Sequence, residues 1–119
     1  MTATLYGIPN CATVKKARAW LEAQGHAVPF HDFRRDGVER RQLEEWARAV
    51  GWDTLLNRKG MTWRQAPEAA KAAVTGQAAA VAFLLERPSA IKRPVLVKDG
   101  AVHVGFSETA YRDLFGPRR

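Results

Sequence analysis

A single cysteine, Cys11, is the only thiol in the chain. It stands in Asn10-Cys11-Ala12-Thr13-Val14, directly after the breaker loop Gly7-Ile8-Pro9-Asn10 and ahead of a segment with helical periodicity. The first amides of a helix have no intrahelical partner and point outward, where the helix dipole is positive. A sulfur placed there is favoured as thiolate over thiol, so more of it is nucleophilic near neutral pH. Lys15 and Lys16, in the first turn, add positive field. An inert buried cysteine acting as a small hydrophobe is the competing reading; it suits an average lone cysteine better than one in a breaker loop at a helix start. Two basic motifs accompany the thiol. Arg93-Pro94 leads into a β-prone run, and Arg58-Lys59 follows the paired leucines Leu55-Leu56. Arginine offers a planar fork of donors suited to an oxyanion or carboxylate. Spacing alone reads Arg58-Lys59 as surface charge and leaves Arg93 evenly divided between a site and solvent.

Other chemistries find little support. His26, His31 and His103 have no second ligand at metal spacing, and there is no C-x-x-C or H-x-x-x-H, so no zinc site is expected. Nothing in the spacing selects one histidine as a partner for Cys11. No Gly-rich phosphate loop is present. Trp20, Trp46, Trp52 and Trp63 read as core or rim anchors, with Trp63 the candidate for a groove.

The elements that must position Cys11 and the arginines follow from pattern. Ala3–Tyr6 is β-prone. Val14, Ala17 and Leu21 recur on one helical face, capped by Asn10 or Thr13 and stopped at Gly25. Ala27–Phe33 reads as a strand near an edge, because Pro29 cannot donate to a ladder. Leu43, Trp46, Ala47 and Val50 line a helix ending at Gly51. Short segments around Asp53–Leu56 and Pro67–Val74 precede an alanine-rich helix, Gln77–Glu86, with Ala78, Val81 and Leu85 on one face and Pro88 ending it. Val95–Lys98 and Ala101–Val104 flank Asp99-Gly100, a hairpin signal for a type I′ turn. Ser107 caps a last helix that buries Tyr111, Leu114 and Phe115. The order β-α-β, helical middle, β-β-α predicts an α/β fold: a thioredoxin-like mixed four-stranded sheet flanked by helices, with a helical insertion at about 38–90 in a single domain of 119 residues. In that layout Arg93 lies beside the start of the first helix. Base rates favour a trans Arg93–Pro94 bond and leave the isomer open.

The charge balance is basic, 19 Lys plus Arg against 12 Asp plus Glu for a net +7, which favours anionic partners. The basic residues are scattered, with only short pairs such as Arg34-Arg35 and Arg40-Arg41, so no nucleic-acid arm is expected. Ala78–Leu85 is the longest apolar run, far short of the roughly 18 residues of a membrane span. Met1–Tyr6 lacks a basic region followed by an apolar run, and a lone thiol needs no oxidising compartment; a cytoplasmic home is the expectation.

Three motifs in order, Tyr6-Gly7-Ile8-Pro9-Asn10-Cys11-Ala12-Thr13-Val14-Lys15-Lys16-Ala17, Leu55-Leu56-Asn57-Arg58-Lys59-Gly60 and Ile91-Lys92-Arg93-Pro94-Val95-Leu96, resemble the arsenate reductase (ArsC)/Spx family, nearest its YffB-type branch. The resemblance covers nearly the whole chain. It implies a catalytic cysteine at Cys11, functional arginines at Arg58 and Arg93, and glutathione-linked thiol chemistry. Asn10, Ala12, Thr13, Lys15, Arg58, Arg93 and Pro94 are then the residues expected to hold glutathione or another substrate. No bound cofactor is implied; glutathione enters as co-substrate, and glutaredoxin is a further implied partner. Two departures qualify the match. The glutaredoxin-linked arsenate reductases carry another arginine in an Arg-Pro-Ser-Glu stretch, which here reads Gly105-Phe106-Ser107-Glu108. Spx regulators carry C-x-x-C, and Val14 occupies the second position here. The implied mechanism is monothiol, with an external thiol completing the cycle. The alternatives are an Spx-like regulator that contacts RNA polymerase, and a true arsenate reductase.

Overall fold

Alternating β-branched and aliphatic residues near both ends of the chain build one sheet, and the alanine- and leucine-rich middle builds helices. In the computed structural model, which describes residues 2–116, the elements run β1 (Ala3–Gly7), α1 (Ala12–Ala23), β2 (Phe30–Asp32), α2 (Phe33–Asp36), α3 (Arg40–Val50), α4 (Trp52–Leu55), α5 (Met61–Arg64), α6 (Glu68–Ala72), α7 (Gln77–Glu86), β3 (Val95–Lys98), β4 (Ala101–Val104) and α8 (Glu108–Phe115). A single 3-10 turn, Pro88–Ala90, separates α7 from β3. The elements form two compact units: the residues up to Asp32 together with those from Arg93 onward, and Phe33–Lys92. The second unit begins before and ends after the insertion expected at about 38–90.

The first unit carries the sheet, in the order β2-β1-β3-β4. β1 pairs with β2 in parallel and with β3 antiparallel, and β3 pairs with β4 antiparallel. A parallel pair needs a crossover, which α1 supplies. Leu5 stands opposite both Phe30 and Leu96. With Ala17, Trp20 and Leu21 of α1 and Tyr111 of α8, Leu5 and Leu96 form the core of this unit. Each fully buried leucine contributes about 1.5–3 kcal/mol, and the Trp20 and Tyr111 rings meet edge-on at 6.0 Å. This is the expected thioredoxin-like arrangement.

Turn chemistry fixes the ends of these elements. Asp99 (φ 51°) and Gly100 (φ 83°) are both left-handed, as a type I′ hairpin requires. The Asp99 amide donates to the Thr2 carbonyl at 2.7 Å, and the Thr2 amide to Asp99 Oδ1 at 2.9 Å, tying the turn to the start of β1. Ser107 Oγ accepts from the Ala110 amide at 3.1 Å and caps α8. β2 is an edge strand, but shorter than the predicted Ala27–Phe33. Pro29 contributes only its carbonyl, to the Leu5 amide at 2.9 Å, and Phe33 turns directly into α2.

In the second unit Leu43, Trp46 and Ala47 of α3 and Leu55 of α4 are buried, as are Ala80, Val81, Phe83 and Leu84 of α7. Glu39 and Gln42 close a capping box at the start of α3. The buried face of α7 differs from the predicted Ala78, Val81 and Leu85: Ala78 is exposed and Leu85 half-buried. Apolar residues surround this helix on nearly every side, so no stripe marks its inward face. The paired leucines lie beside the residues just after α7. Leu56 bridges Ile91, the Asn57 amide donates to the Ala90 carbonyl, and the Lys92 amide donates to the Leu55 carbonyl, both at 2.8 Å.

Candidate active site

Cys11 is itself the N-cap of α1, with extended backbone at φ −114°, ψ 126°. Its carbonyl accepts the first helical hydrogen bond from the Lys15 amide at 2.9 Å. The expected caps, Asn10 and Thr13, fall one residue before and two after it: Pro9-Asn10 is spent on a turn, and Thr13 is already helical. The thiol is partly exposed. The amides of Thr13 and Val14 face the sulfur, and the Arg93 side chain hydrogen-bonds to it. None of the amides closes into an ordinary capping bond.

These neighbours set the acidity of the thiol. Burial is the largest single influence and pushes it up. The Val14 amide, the Arg93 hydrogen bond, the Thr13 amide and the Arg93 charge together outweigh it, and the thiol is held below its ordinary value of 9.0. The guanidinium of Arg93 is the side-chain cation that acts on the sulfur. Lys15 and Lys16 are exposed on the first turn, and Lys15 joins the site through its backbone.

Arg93 is anchored through the next residue in the chain. Pro94 is buried, its carbonyl accepts from the Gly105 amide at 2.8 Å, and the Arg93–Pro94 peptide bond is cis. Cys11, Thr13 and Arg93 are thus gathered in one unit, with Ala12 and Asn10 exposed at its rim.

Arg58 belongs to the second unit. Asn57 Oδ1 accepts from the Lys59 amide at 3.1 Å, a local turn that shapes the loop. The exposed Arg58 guanidinium lies 5.4 Å from the centre of the Trp52 ring and 5.8 Å from that of Trp63. Two indole faces restrict a flexible arginine through cation–π attraction. The sequence does not reveal this pairing: Trp52 and Trp63 lie six residues before Arg58 and five after it, spacings with no helical or strand period. Trp63 also packs on Phe83 at 5.2 Å, so it is half-buried rather than core. Of the histidines, His31 stacks on Tyr6 at 4.9 Å and His26 on Phe115 at 4.6 Å. Among the described residues no three His, Cys, Asp or Glu side chains gather in a metal-binding group.

A polarised, partly open sulfur beside a guanidinium can attack an electrophilic sulfur and hold an anion next to it. The sequence profile of the ArsC family matches residues 6–114. The chain belongs to the ArsC family. A solved structure named YffB is 44% identical, covers 97% of this chain and 100% of its own, and superposes with a TM-score of 0.92. An arsenate reductase (ArsC) related protein from Brucella melitensis is 43% identical over 98% of this chain and 97% of its own, with a TM-score of 0.76. The global transcriptional regulator Spx of Streptococcus pneumoniae is 28% identical over 97% of this chain and 86% of its own length. Within this ArsC-family fold, Gly105-Phe106-Ser107-Glu108 serves the backbone. Gly105 sits at φ 88°, its carbonyl accepts from the Tyr111 hydroxyl at 3.4 Å, and Ser107 caps α8. Among the described residues, no helix of this ArsC-family chain is long and apolar enough to cross a membrane.

Proposed function

We propose that this ArsC-family chain is a glutathione-dependent monothiol reductase acting in the cytoplasm, with Cys11 as its nucleophile. The observation that carries this reading is the Cys11 sulfur set against the Thr13 and Val14 amides and the Arg93 guanidinium, with its thiol acidified. In the first step the Cys11 thiolate attacks the glutathionyl sulfur of a mixed disulfide. A Cys11–glutathione disulfide forms and the substrate leaves as its own thiolate. In the second, a glutathione thiolate attacks the glutathionyl sulfur of that disulfide. Cys11 leaves as thiolate and oxidised glutathione departs, so the net exchange turns the substrate's mixed disulfide and one glutathione thiol into the substrate thiol and oxidised glutathione. Arg93 and the amides stabilise the sulfur anion as it departs. Arg58, steadied by two indoles of its own unit, offers a fork suited to a carboxylate; in the unit that carries Cys11 we assign Asn10, Ala12 and Lys15 to glutathione, and the buried Pro94 holds Arg93 in place rather than touching the ligand with its side chain.

Intact mass after incubation with oxidised glutathione tests the reading. One glutathionyl adduct is expected on the wild type and none on Cys11→Ser; an unmodified wild-type protein would dismiss it. The likeness to Spx favours a second reading, a regulator that binds RNA polymerase. That reading expects polymerase subunits to be retained in a pull-down by wild type and Cys11→Ser alike. Arsenate turnover with glutathione and glutaredoxin is the corresponding test for an arsenate reductase, which the lack of an arginine in Gly105–Glu108 argues against.

A further inference from the structure

Gly7 ends β1, opposite Asp32 of β2. Side chains alternate along a strand, so position 7 shares the face of Leu5, which packs on α1. Its backbone is not in the left-handed region, so conformation does not demand glycine here, and a glycine inside a strand otherwise weakens it. Space demands it. A β-carbon built on Gly7 would lie 2.8 Å from Val14 Cγ2, 3.5 Å from Val14 Cγ1 and 3.7 Å from Phe30 Cε1. Val14 is fully buried, and a β-branched residue in a helix has essentially one rotamer open to it, so its side chain cannot swing aside. Only the first turn of α1 can yield. That turn carries the Thr13 and Val14 amides that face the Cys11 sulfur.

We infer that Gly7 is a positioning residue for Cys11: its bare α-carbon lets the first turn of α1 settle on β1, and so sets where the Val14 and Thr13 amides meet the sulfur. Arg93 enters from the loop before β3 and is not carried by α1, so the two contributions to the site are separable. A methyl at position 7 lifts the amides and leaves the guanidinium in place. The inference rests on reading Cys11 as the nucleophile. Its test tracks only the titration of the thiol, so it can fail while a glutathione adduct still forms, and the reverse.

The experiment is the pH dependence of Cys11 alkylation by iodoacetamide in the full-length protein, with far-UV circular dichroism to monitor the fold. Gly7→Ala is expected to move the midpoint upward and to slow alkylation below the midpoint roughly threefold. In Gly7→Ala/Val14→Ala both Cγ atoms in the contact are gone, and the midpoint returns towards that of the wild type. A folded Gly7→Ala protein with the wild-type midpoint would overturn the inference. So would a double variant that titrates as high as the single one. If Gly7→Ala alone does not fold, the double variant carries the test: it must fold and titrate near the wild type, and failure in either respect refutes the role.

Discussion

Replacing Arg93 with methionine keeps an unbranched apolar stem while removing the charge and the hydrogen bond to Cys11. Hydrogen bonds to charged groups are worth about 1.5–3 kcal/mol. The sulfur is partly open to water, which screens the interaction, so the lower end applies: about 1.5 kcal/mol, or roughly tenfold in the thiol–thiolate equilibrium. The rate does not fall by the same factor. A less acidic thiol is a better nucleophile once ionised, with a Brønsted slope of about 0.4–0.5, so roughly threefold is regained per thiolate. Arg93→Met should therefore react about threefold slower than the wild type where both are mostly thiol, and about threefold faster where both are fully ionised. Its pH–rate curve must cross that of the wild type. Stopped-flow measurements with a neutral alkylating agent over the full titration read both limbs; a neutral reagent avoids a direct contact with the guanidinium. Superimposable curves would refute the assignment of Arg93 to the sulfur. A loss of equal size at every pH would show that Arg93 acts on something other than ionisation. Arg93→Lys keeps the charge and loses the planar fork, and should fall between the two.

Acid–base linkage and helix capping give two more expected outcomes. The folded Cys11 thiol is held below its ordinary value of 9.0, so its contribution to stability is fully present above the unfolded thiol's titration and is lost as the pH falls through the folded one. Urea unfolding across that window should show the wild type gaining on Cys11→Ser as the pH rises; a constant difference would contradict the acidified thiol. Ser107→Ala removes the Oγ that accepts from the Ala110 amide, at a cost of about 1 kcal/mol. With an unfolding entropy of about 2.1 cal/mol/K per residue, roughly 0.25 kcal/mol/K for this chain, Tm should drop by about 4 °C in calorimetry, and an unchanged Tm would remove Ser107 as the cap.

Much of the fold and site is legible from residue types that leave the backbone little choice. Asp99-Gly100 specifies its turn because it tolerates two left-handed residues in succession, and both adopt that conformation. Gly25, at φ 78°, stops α1 where expected. The thiol at the helix start is visible because breakers on one side and periodicity on the other leave it a single place. Other features depend on contacts distant in sequence. The inward face of α7 is set by α3, and its own composition is apolar all round. The one-turn helices α2 and α5 are too short to show a period. The Trp52 and Trp63 rings meet Arg58 only because the second unit brings them there. The steric need at Gly7 is hidden too, since sequence alone reads a glycine before a loop as a breaker.

The split of the sheet along the chain bears on how the protein comes off the ribosome. β1 is an inner strand, with β2 on one side and β3 on the other, and β3 begins only at Val95. While the nascent chain is shorter than that, half of the β1 ladder has no partner, and the Thr2 amide waits for an acceptor at Asp99. The segment Phe33–Lys92 is contiguous and helical, and local helical contacts favour fast folding. Translation thus delivers the whole helical segment before the sheet can close, and one strand edge of β1 stays open throughout that interval. Such an edge is a template for wrong pairing, so slow synthesis of the segment between the two halves lengthens the interval in which this chain is exposed to aggregation.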